Sequence, residues 1–422
     1  MTTAPGKSVL VIGGGIAGLT AAVELADAGC SVVLVEKSAS LGGRVARMHQ
    51  YFPKLCPPAC GLEMHYRRLR ASGAITVLTL AEVAQVKGSA GAYEVAVEVR
   101  PRFVNQSCTL CGACADVCPA ERGDEFNYGL KKTKAAYLPQ AMSYPALYAI
   151  DRTVCPQGCR ACEPACKYGA IELDAKSEVR TFAVSAIVAA TGWKPYDATR
   201  LGHLGFGIFP NVVTNVMLER MAAADGPSAG RILRPSDGKE PRTVAFVQCA
   251  GSRDENHLPY CSAVCCAASI KHAAYIHALY PETAITIYYI DIRTPGKLEE
   301  FYTRVDRESN LRLIRGKVAR VEQSPATGDL LVTAEDTMCA RKSTQPYELV
   351  VLATGIVPET KGLPAAVQRD EFGFAISVNG ASGMFAAGCA RRPGEVSATV
   401  QDATGAALKA LQWANRSKCH AG

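Results

Sequence analysis

Cys108, Cys111, Cys114 and Cys118, followed by Pro119, repeat the spacing C-x2-C-x2-C-x3-C-P, and no other feature constrains the fold of this chain as much. At that spacing one loop can wrap three thiolates around an iron-sulfur cubane. Cys155, Cys159, Cys162 and Cys166 form a second set, spaced C-x3-C-x2-C-x3-C. The competing reading, structural zinc, needs C-x-x-C knuckles paired into four-ligand sites, and two such runs of four do not have that form.

With 48% apolar and 20% charged residues in 422, the chain has a globular balance and enough length for two or three domains. Its net charge of +7 is mild and no run of five like charges concentrates it, so nucleic acid is not an expected partner. A solvated surface accounts for the excess better than a basic docking face. No stretch reaches the roughly 18 uninterrupted apolar residues that cross a bilayer, so any membrane link is expected to run through partners. The apolar run from Ser8 is interrupted by Glu24 and Asp27 and lacks a basic n-region, so no signal peptide is read. In a reducing compartment, 18 cysteines point to metal or redox work rather than a disulfide framework.

Residues 8–12 (SVLVI) are a short buried strand that stops at GGGIAG, a helical alanine-rich stretch follows, and 31–36 (SVVLVE) is a second strand. This β-α-β unit opens a parallel sheet. Gly13, Gly15 and Gly18 fit G-x-G-x-x-G at the strand-to-helix turn, where backbone N–H groups and the helix dipole can approach a pyrophosphate. Glu36 ends the next strand, where a carboxylate can accept from a ribose hydroxyl. Strand character recurs at 93–99 and 179–190, on either side of the cysteine-rich segment, which therefore reads as inserted. A linker at about 222–241 precedes a second β-α-β pattern: strand 243–248, helix from about 262, strand 284–290.

The extended pattern GGGIAG…VVLVEK…LGGR resembles the two-dinucleotide-binding-domain flavoproteins, the superfamily of thioredoxin reductase, in which FAD occupies the first site. The likeness extends to Thr191-Gly192, Thr354-Gly355 and GMFAAGC at 383–389. It implies FAD contacts at Gly13, Gly14, Gly15, Ala17, Gly18, Glu36, Lys37, Gly43, Arg44, Val83, Thr191, Gly192, Gly388, Cys389, Ser397, Ala398 and Thr399. Cys389 stands where an aspartate is usual, and a thiol cannot supply the same strong acceptor to the ribityl chain. It can also be read as a small buried residue.

The second cysteine set, with KYGAIEL after it, is similar to the second half of bacterial two-cluster ferredoxins, in which the fourth cysteine of each set ligates the other cluster. Two [4Fe-4S] clusters are therefore expected, one on Cys118, Cys155, Cys159 and Cys162, the other on Cys108, Cys111, Cys114 and Cys166. The wider first spacing of the second set and Lys167 in place of proline depart from that pattern. Residues 119–154 are expected to form a surface excursion able to hold a partner contact.

The second β-α-β pattern lacks a glycine-rich turn and reads CAGSRDENHLPYCSAVCC instead, so NAD(P) is not expected there. Four thiols take its place: Cys249, Cys261, Cys265 and Cys266. The run QCAGSRD…PYCSAVCCAASIKHA, together with YYIDIRTPGKLEEFY at 288–302, resembles the A subunit of heterodisulfide reductases. That likeness covers nearly the whole chain and implies a third [4Fe-4S] cluster on these four cysteines, with free thiols as the alternative. Cys56 and Cys60 fit a redox dithiol, ligands near the flavin, or inert thiols equally well. Cys30, Cys339 and Cys419 have no partner pattern, the seven histidines form no metal set, and no hydrolase motif or acid/base pair is found.

The expected architecture is an α/β two-dinucleotide-binding-domain flavoprotein with an inserted two-cluster ferredoxin domain. Its segments are FAD domain (1–100), insert (101–178), return strand and linker (179–240), second nucleotide-binding-like domain (241–345) and FAD domain again (346–422). The heterodisulfide reductase chains of this kind from methanogens are longer. The shorter build resembles the corresponding flavin/iron-sulfur chains of the quinone-interacting membrane-bound oxidoreductase complexes of sulfate reducers. That resemblance implies electron exchange between the quinone pool and adenylylsulfate reductase on the cytoplasmic face of the inner membrane. It also implies a second flavin/iron-sulfur subunit, together with a haem-bearing membrane subunit, as partners. The alternatives are a soluble heterodisulfide reductase-like subunit, with or without electron bifurcation, and a non-enzymatic iron-sulfur scaffold or redox sensor.

Overall fold

A computed structural model describes residues 7–307, 310–377 and 382–416. The chain divides into two compact units, one made of residues up to Ala46, Ala59–Trp193 and Pro358 onward, the other of Arg47–Pro58 and Lys194–Val357.

In the first unit the apolar runs form a parallel sheet, ordered Met384–Ala386, Ala186–Ala189, Ser8–Ile12, Ser31–Glu36, Ile75–Thr79. Its central strands are buried on both faces, which is why they read as continuous apolar stretches rather than alternations. Helices Ile16–Asp27 and Val396–Arg416 pack together along it. An antiparallel three-stranded sheet, Ala81–Ser89, Ala92–Val99 and Glu178–Val184, turns Tyr93, Val95 and Val97 onto the same core as Leu10, Val33 and Ile187. Every second residue of a strand faces one side, so this sheet alternates where the parallel one does not.

The cysteine-rich insert leaves and re-enters at one point, because Val99 and Glu178 are paired neighbours in that antiparallel sheet. Its own ends meet where Val104 bridges Ile171, with Asn105 N–H donating to Ala170 C=O at 2.8 Å and Glu172 N–H to Phe103 C=O at 3.0 Å. A small core of Val104, Ala120, Ala135, Ala136, Ile150, Ala170 and Leu173 packs around the cysteines.

The second unit repeats the plan. Its parallel sheet runs Val212–Thr214, Leu349–Thr354, Thr243–Ala250, Ala284–Tyr289, Leu311–Arg315, and an antiparallel sheet of Val318–Gln323, Leu330–Asp336 and Arg341–Tyr347 shares its core. Two expected boundaries differ. Leu349–Thr354 belongs to this sheet, so the chain returns to the first unit at Pro358 and not at 346. Residues 194–240 are also part of this unit and carry strand Val212–Thr214 and helix Asn215–Ala222, whose start is capped by the Thr214 hydroxyl accepting from Met217 N–H. A three-residue edge strand is too short to show periodicity, and the Gly/Pro-rich stretch after it hides the helix. No described helix is long and apolar enough to cross a membrane.

Candidate flavin and cluster sites

The glycine turn is built by close approach. A Cβ on Gly18 would lie 1.7 Å from the Gly13 carbonyl oxygen, and one on Gly13, whose φ is +108°, 2.4 Å from that of Ala190. Packing alone therefore demands glycine at both positions. Gly15 differs: an added Cβ would meet nothing nearer than Gly43 Cα at 3.8 Å, so that glycine keeps backbone open toward the space above the helix. Gly42 N–H donates to Gly14 C=O at 2.8 Å, which lays the LGGR loop against the turn. Glu36 is buried and accepts from Gly14 N–H at 2.7 Å and Ser38 N–H at 2.8 Å.

Of the other residues assigned to FAD, Thr191 and Gly388 lie against this turn and its helix. The Thr191 hydroxyl, at the strand end against Gly13, is buried without a hydrogen-bond partner, as a group awaiting a ligand would be. Gly192 follows it and accepts from Glu359 N–H at 3.0 Å. Gly388 packs on Ala17 and Thr399, bringing both helices to one place. Cys389 is buried there, with its sulfur 3.4 Å from Gly394 C=O and 3.9 Å from the Thr399 hydroxyl, and burial pushes its thiol up. The acid near this turn is Asp402, which accepts from Gly388 N–H at 2.8 Å and which the sequence pattern does not mark. The N–H groups of Ser397 and Ala398 both donate to the Glu395 carboxylate at 2.6 Å, so the donors at the start of helix Val396–Arg416 are already occupied. Lys37 is exposed near Glu359, and Val83 packs beside the core of the first unit.

Residues 119–154 are not a free excursion. Gln140 Nε2 donates to Ser40 Oγ at 3.0 Å and to Leu41 C=O at 2.7 Å, Leu41 N–H donates to Tyr144 C=O at 2.9 Å, and Tyr144 N–H donates to Ser40 Oγ at 3.0 Å. The Arg44 guanidinium donates to Trp193 C=O at 3.0 Å and to the Tyr128 hydroxyl at 3.1 Å, with both rings alongside. The segment is an internal clamp on the LGGR loop, the loop expected to lie beside the flavin. Sequence reasoning missed it because polar contacts to loop backbone leave no periodic trace.

In the insert, Cys118 lies within electrostatic reach of Cys155 and Cys162, the grouping expected from crossed ligation. Cys159 joins them, and Cys108 is the strongest thiol neighbour of Cys114. Burial first, then Cys108, pushes the Cys114 thiol up to about 11. Cys111 is exposed and close to Tyr148, and the Cys166 sulfur accepts from Ala170 N–H at 3.3 Å. Among the described residues no three His, Cys, Asp or Glu side chains close to the spacing of a single metal ion. A cubane presents four separate irons and asks for a wider set of sulfurs.

In the second unit strand Thr243–Ala250 runs into a long loop, and helix Cys265–Leu279 begins only after it. Cys249, Arg253 and Ala263 all take left-handed backbone, and the loop is pinned by the Ser262 hydroxyl accepting from Ile356 N–H at 2.8 Å and Tyr260 donating to Ile356 C=O at 2.9 Å. The result gathers Cys249, Cys261, Cys265 and Cys266. Burial, then the other three thiols, pushes Cys265 far up, and burial with Cys266 and Cys261 pushes Cys249 up to about 11. Cys249, Cys265 and Cys266, each pushed up by burial and by neighbouring thiols, ionise together only with a cationic centre among them, which is what a cluster would supply.

Cys56 lies in the second unit and Cys60 in the first, both exposed, and Cys30 is buried beside the first sheet. Cys339 is exposed, and Cys419 falls outside the described residues.

The NAD(P)-binding Rossmann-like domain family matches residues 11–66. The A subunit of the ferredoxin/F(420)H(2)-dependent CoB-CoM heterodisulfide reductase of Methanosarcina acetivorans is 39% identical over 96% of this chain and 53% of its own length. The A subunit of the H(2):CoB-CoM heterodisulfide,ferredoxin reductase of Methanothermobacter marburgensis is 38% identical over 95% of this chain and 63% of its own. The chain thus spans little more than half the length of such relatives. The thioredoxin reductases of Lactococcus lactis and T. acidophilum superpose with TM-scores of 0.53 at 13% identity, covering 97% and 98% of this chain and 99% of each enzyme, and share its fold.

Proposed function

We propose that the chain, similar to heterodisulfide reductase A subunits over nearly all of its length, is the flavin and iron-sulfur electron-transfer subunit of a multi-subunit oxidoreductase. One observation carries the reading: the insert that gathers eight cysteines also grips the flavin loop through Gln140, Tyr144 and Tyr128. A redox module and a nucleotide-binding turn are thereby joined within one unit.

The Gly15 N–H and the start of the following helix would hold the pyrophosphate, since Gly13 N–H already donates to Val35 C=O and Gly14 N–H to Glu36; Glu36 would accept from the ribose, and Thr191 would supply its hydroxyl. When bound, FAD converts two-electron to one-electron transfer, and the clusters conduct single electrons. The cysteines of the insert hold two [4Fe-4S] clusters, and Cys249, Cys261, Cys265 and Cys266 hold a third. The protein supplies position and potential.

The finer form of this reading takes electrons between the quinone pool and adenylylsulfate reductase, at the cytoplasmic face of the inner membrane, beside a second flavin/iron-sulfur subunit, together with a haem-bearing membrane subunit. It rests on sequence resemblance to the quinone-interacting complexes. Anaerobic purification from the source cell tests both levels. About twelve irons per FAD supports three clusters, and about eight supports two. Cofractionation of a haem protein, with rapid flavin reduction by a quinol analogue, supports the quinone form. Purification without the haem protein favours the soluble heterodisulfide reductase-like form, and flavin bleaching by NADH within seconds overturns the proposal.

A further inference from the structure

The segment YYIDIRTPGKLEEFY contains no cysteine, yet its Asp291 and Arg293 lie against the four-cysteine loop. Asp291 accepts from Arg253 Nη1 and from Arg293 Nε at 3.2 Å and Nη2 at 3.1 Å, so one carboxylate holds two guanidinium groups. The same three residues reach three of the four sulfurs. Arg253 lies within electrostatic reach of the Cys249 thiol, and Arg293 of those of Cys261 and Cys266. The Cys266 sulfur also lies 3.7 Å from the Asp291 carbonyl oxygen.

We infer that Arg253, Asp291 and Arg293 form a charge clamp that raises the reduction potential of an iron-sulfur cluster held by Cys249, Cys261, Cys265 and Cys266. The inference rests on the proposed third cluster. Two cations against one anion leave a net positive charge at the sulfur edge, and the neighbouring Asp254 does not cancel it because Lys317 pairs with that residue at 2.8 Å. A cubane gains one negative charge when it accepts one electron. Fixed positive charge and hydrogen bonds to its sulfurs stabilise that reduced form and raise the potential. Arginine suits the task because its planar fork can bind a carboxylate and a sulfur together and does not lose its proton. Ion pairs as exposed as these add little to stability, so folding does not explain why three charged residues converge on the thiols.

The test is an EPR-monitored redox titration of the anaerobically purified full chain, with iron and FAD counted in each sample. In R253Q and R293Q one cluster midpoint should fall by about tenfold in its equilibrium constant, about 59 mV for a single electron, while the other two stay. D291N removes the negative charge and should shift the same midpoint upward. If R293Q sheds iron, the D291N shift decides. Full iron with unmoved midpoints in these variants overturns the clamp and leaves the third cluster standing. A wild-type count of about eight irons per FAD, without a third signal, overturns the cluster itself and the clamp with it.

Discussion

The Glu36 carboxylate accepts the Gly14 N–H at 2.7 Å, fastening the end of one strand to the glycine turn that follows another. Its second oxygen holds Ser38 N–H, so both oxygens are anchored while each keeps a lone pair for a ribose hydroxyl. Glu36→Gln replaces one of these acceptors with a donor. We expect FAD affinity to fall about tenfold, the equivalent of ~1.4 kcal/mol, with cluster content unchanged. Flavin retained after gel filtration, set against iron content, measures it.

Cys118 lies within electrostatic reach of Cys155 and Cys162, although in sequence it closes the other set. If ligation crosses in this way, Cys118→Ser and Cys155→Ser should weaken the same EPR signal, and Cys166→Ser and Cys108→Ser the other. Paired loss within each sequence set, Cys118 with Cys108, is the outcome that sinks the assignment.

Gln140 bonds the LGGR loop through its side-chain amide, at Ser40 Oγ and Leu41 C=O. Gln140→Ala removes both bonds and leaves every cysteine in place. We expect FAD to dissociate roughly fivefold to tenfold more readily, the size of one or two lost hydrogen bonds, with both insert clusters retained. Flavin fluorescence released on dilution reads this directly.

What could be read in the sequence was whatever local geometry enforces. Gly13 and Gly18 are required where backbone meets backbone, and unbroken apolar runs form a sheet buried on both faces. What could not be read depends on contacts between distant segments. Gln140 and Ser40 are 100 residues apart and meet through polar atoms that any loop might carry. Strand Val212–Thr214 is defined only by its pairing with Val350, Val351 and Leu352, and its three residues show no period. Asp402 was missed because it lies a helix turn beyond Thr399, within a helix whose pattern marks only its apolar face.

Glu219 illustrates the same gap and yields the last prediction. It is buried in the second unit and accepts from Lys271 Nζ at 2.9 Å, His272 Nε2 at 2.6 Å, His49 N–H at 2.8 Å and Gln50 N–H at 3.3 Å. Burial alone would raise its pKa, but Lys271 and His272 outweigh it and hold the carboxyl well below the usual range. A carboxylate only accepts, so His272 carries its proton on Nε2, and its Nδ1 is buried without a partner. Burial lowers the His272 pKa despite the opposing pull of Glu219, and the ring stays neutral in the fold. Both groups bind protons more readily when unfolded. Stability should therefore be full above about pH 7, decline as the unfolded histidine protonates below about 6.5, and decline further as unfolded carboxyls protonate near 4.3. Lys271→Met leaves the buried carboxylate without its cation and should cost about 3–5 kcal/mol, whereas Glu219→Gln with Lys271→Met should recover part of that loss. Thermal melts of the holoprotein between pH 5 and 8 measure both effects, and a flat profile in the wild type would show that the network does not titrate with folding.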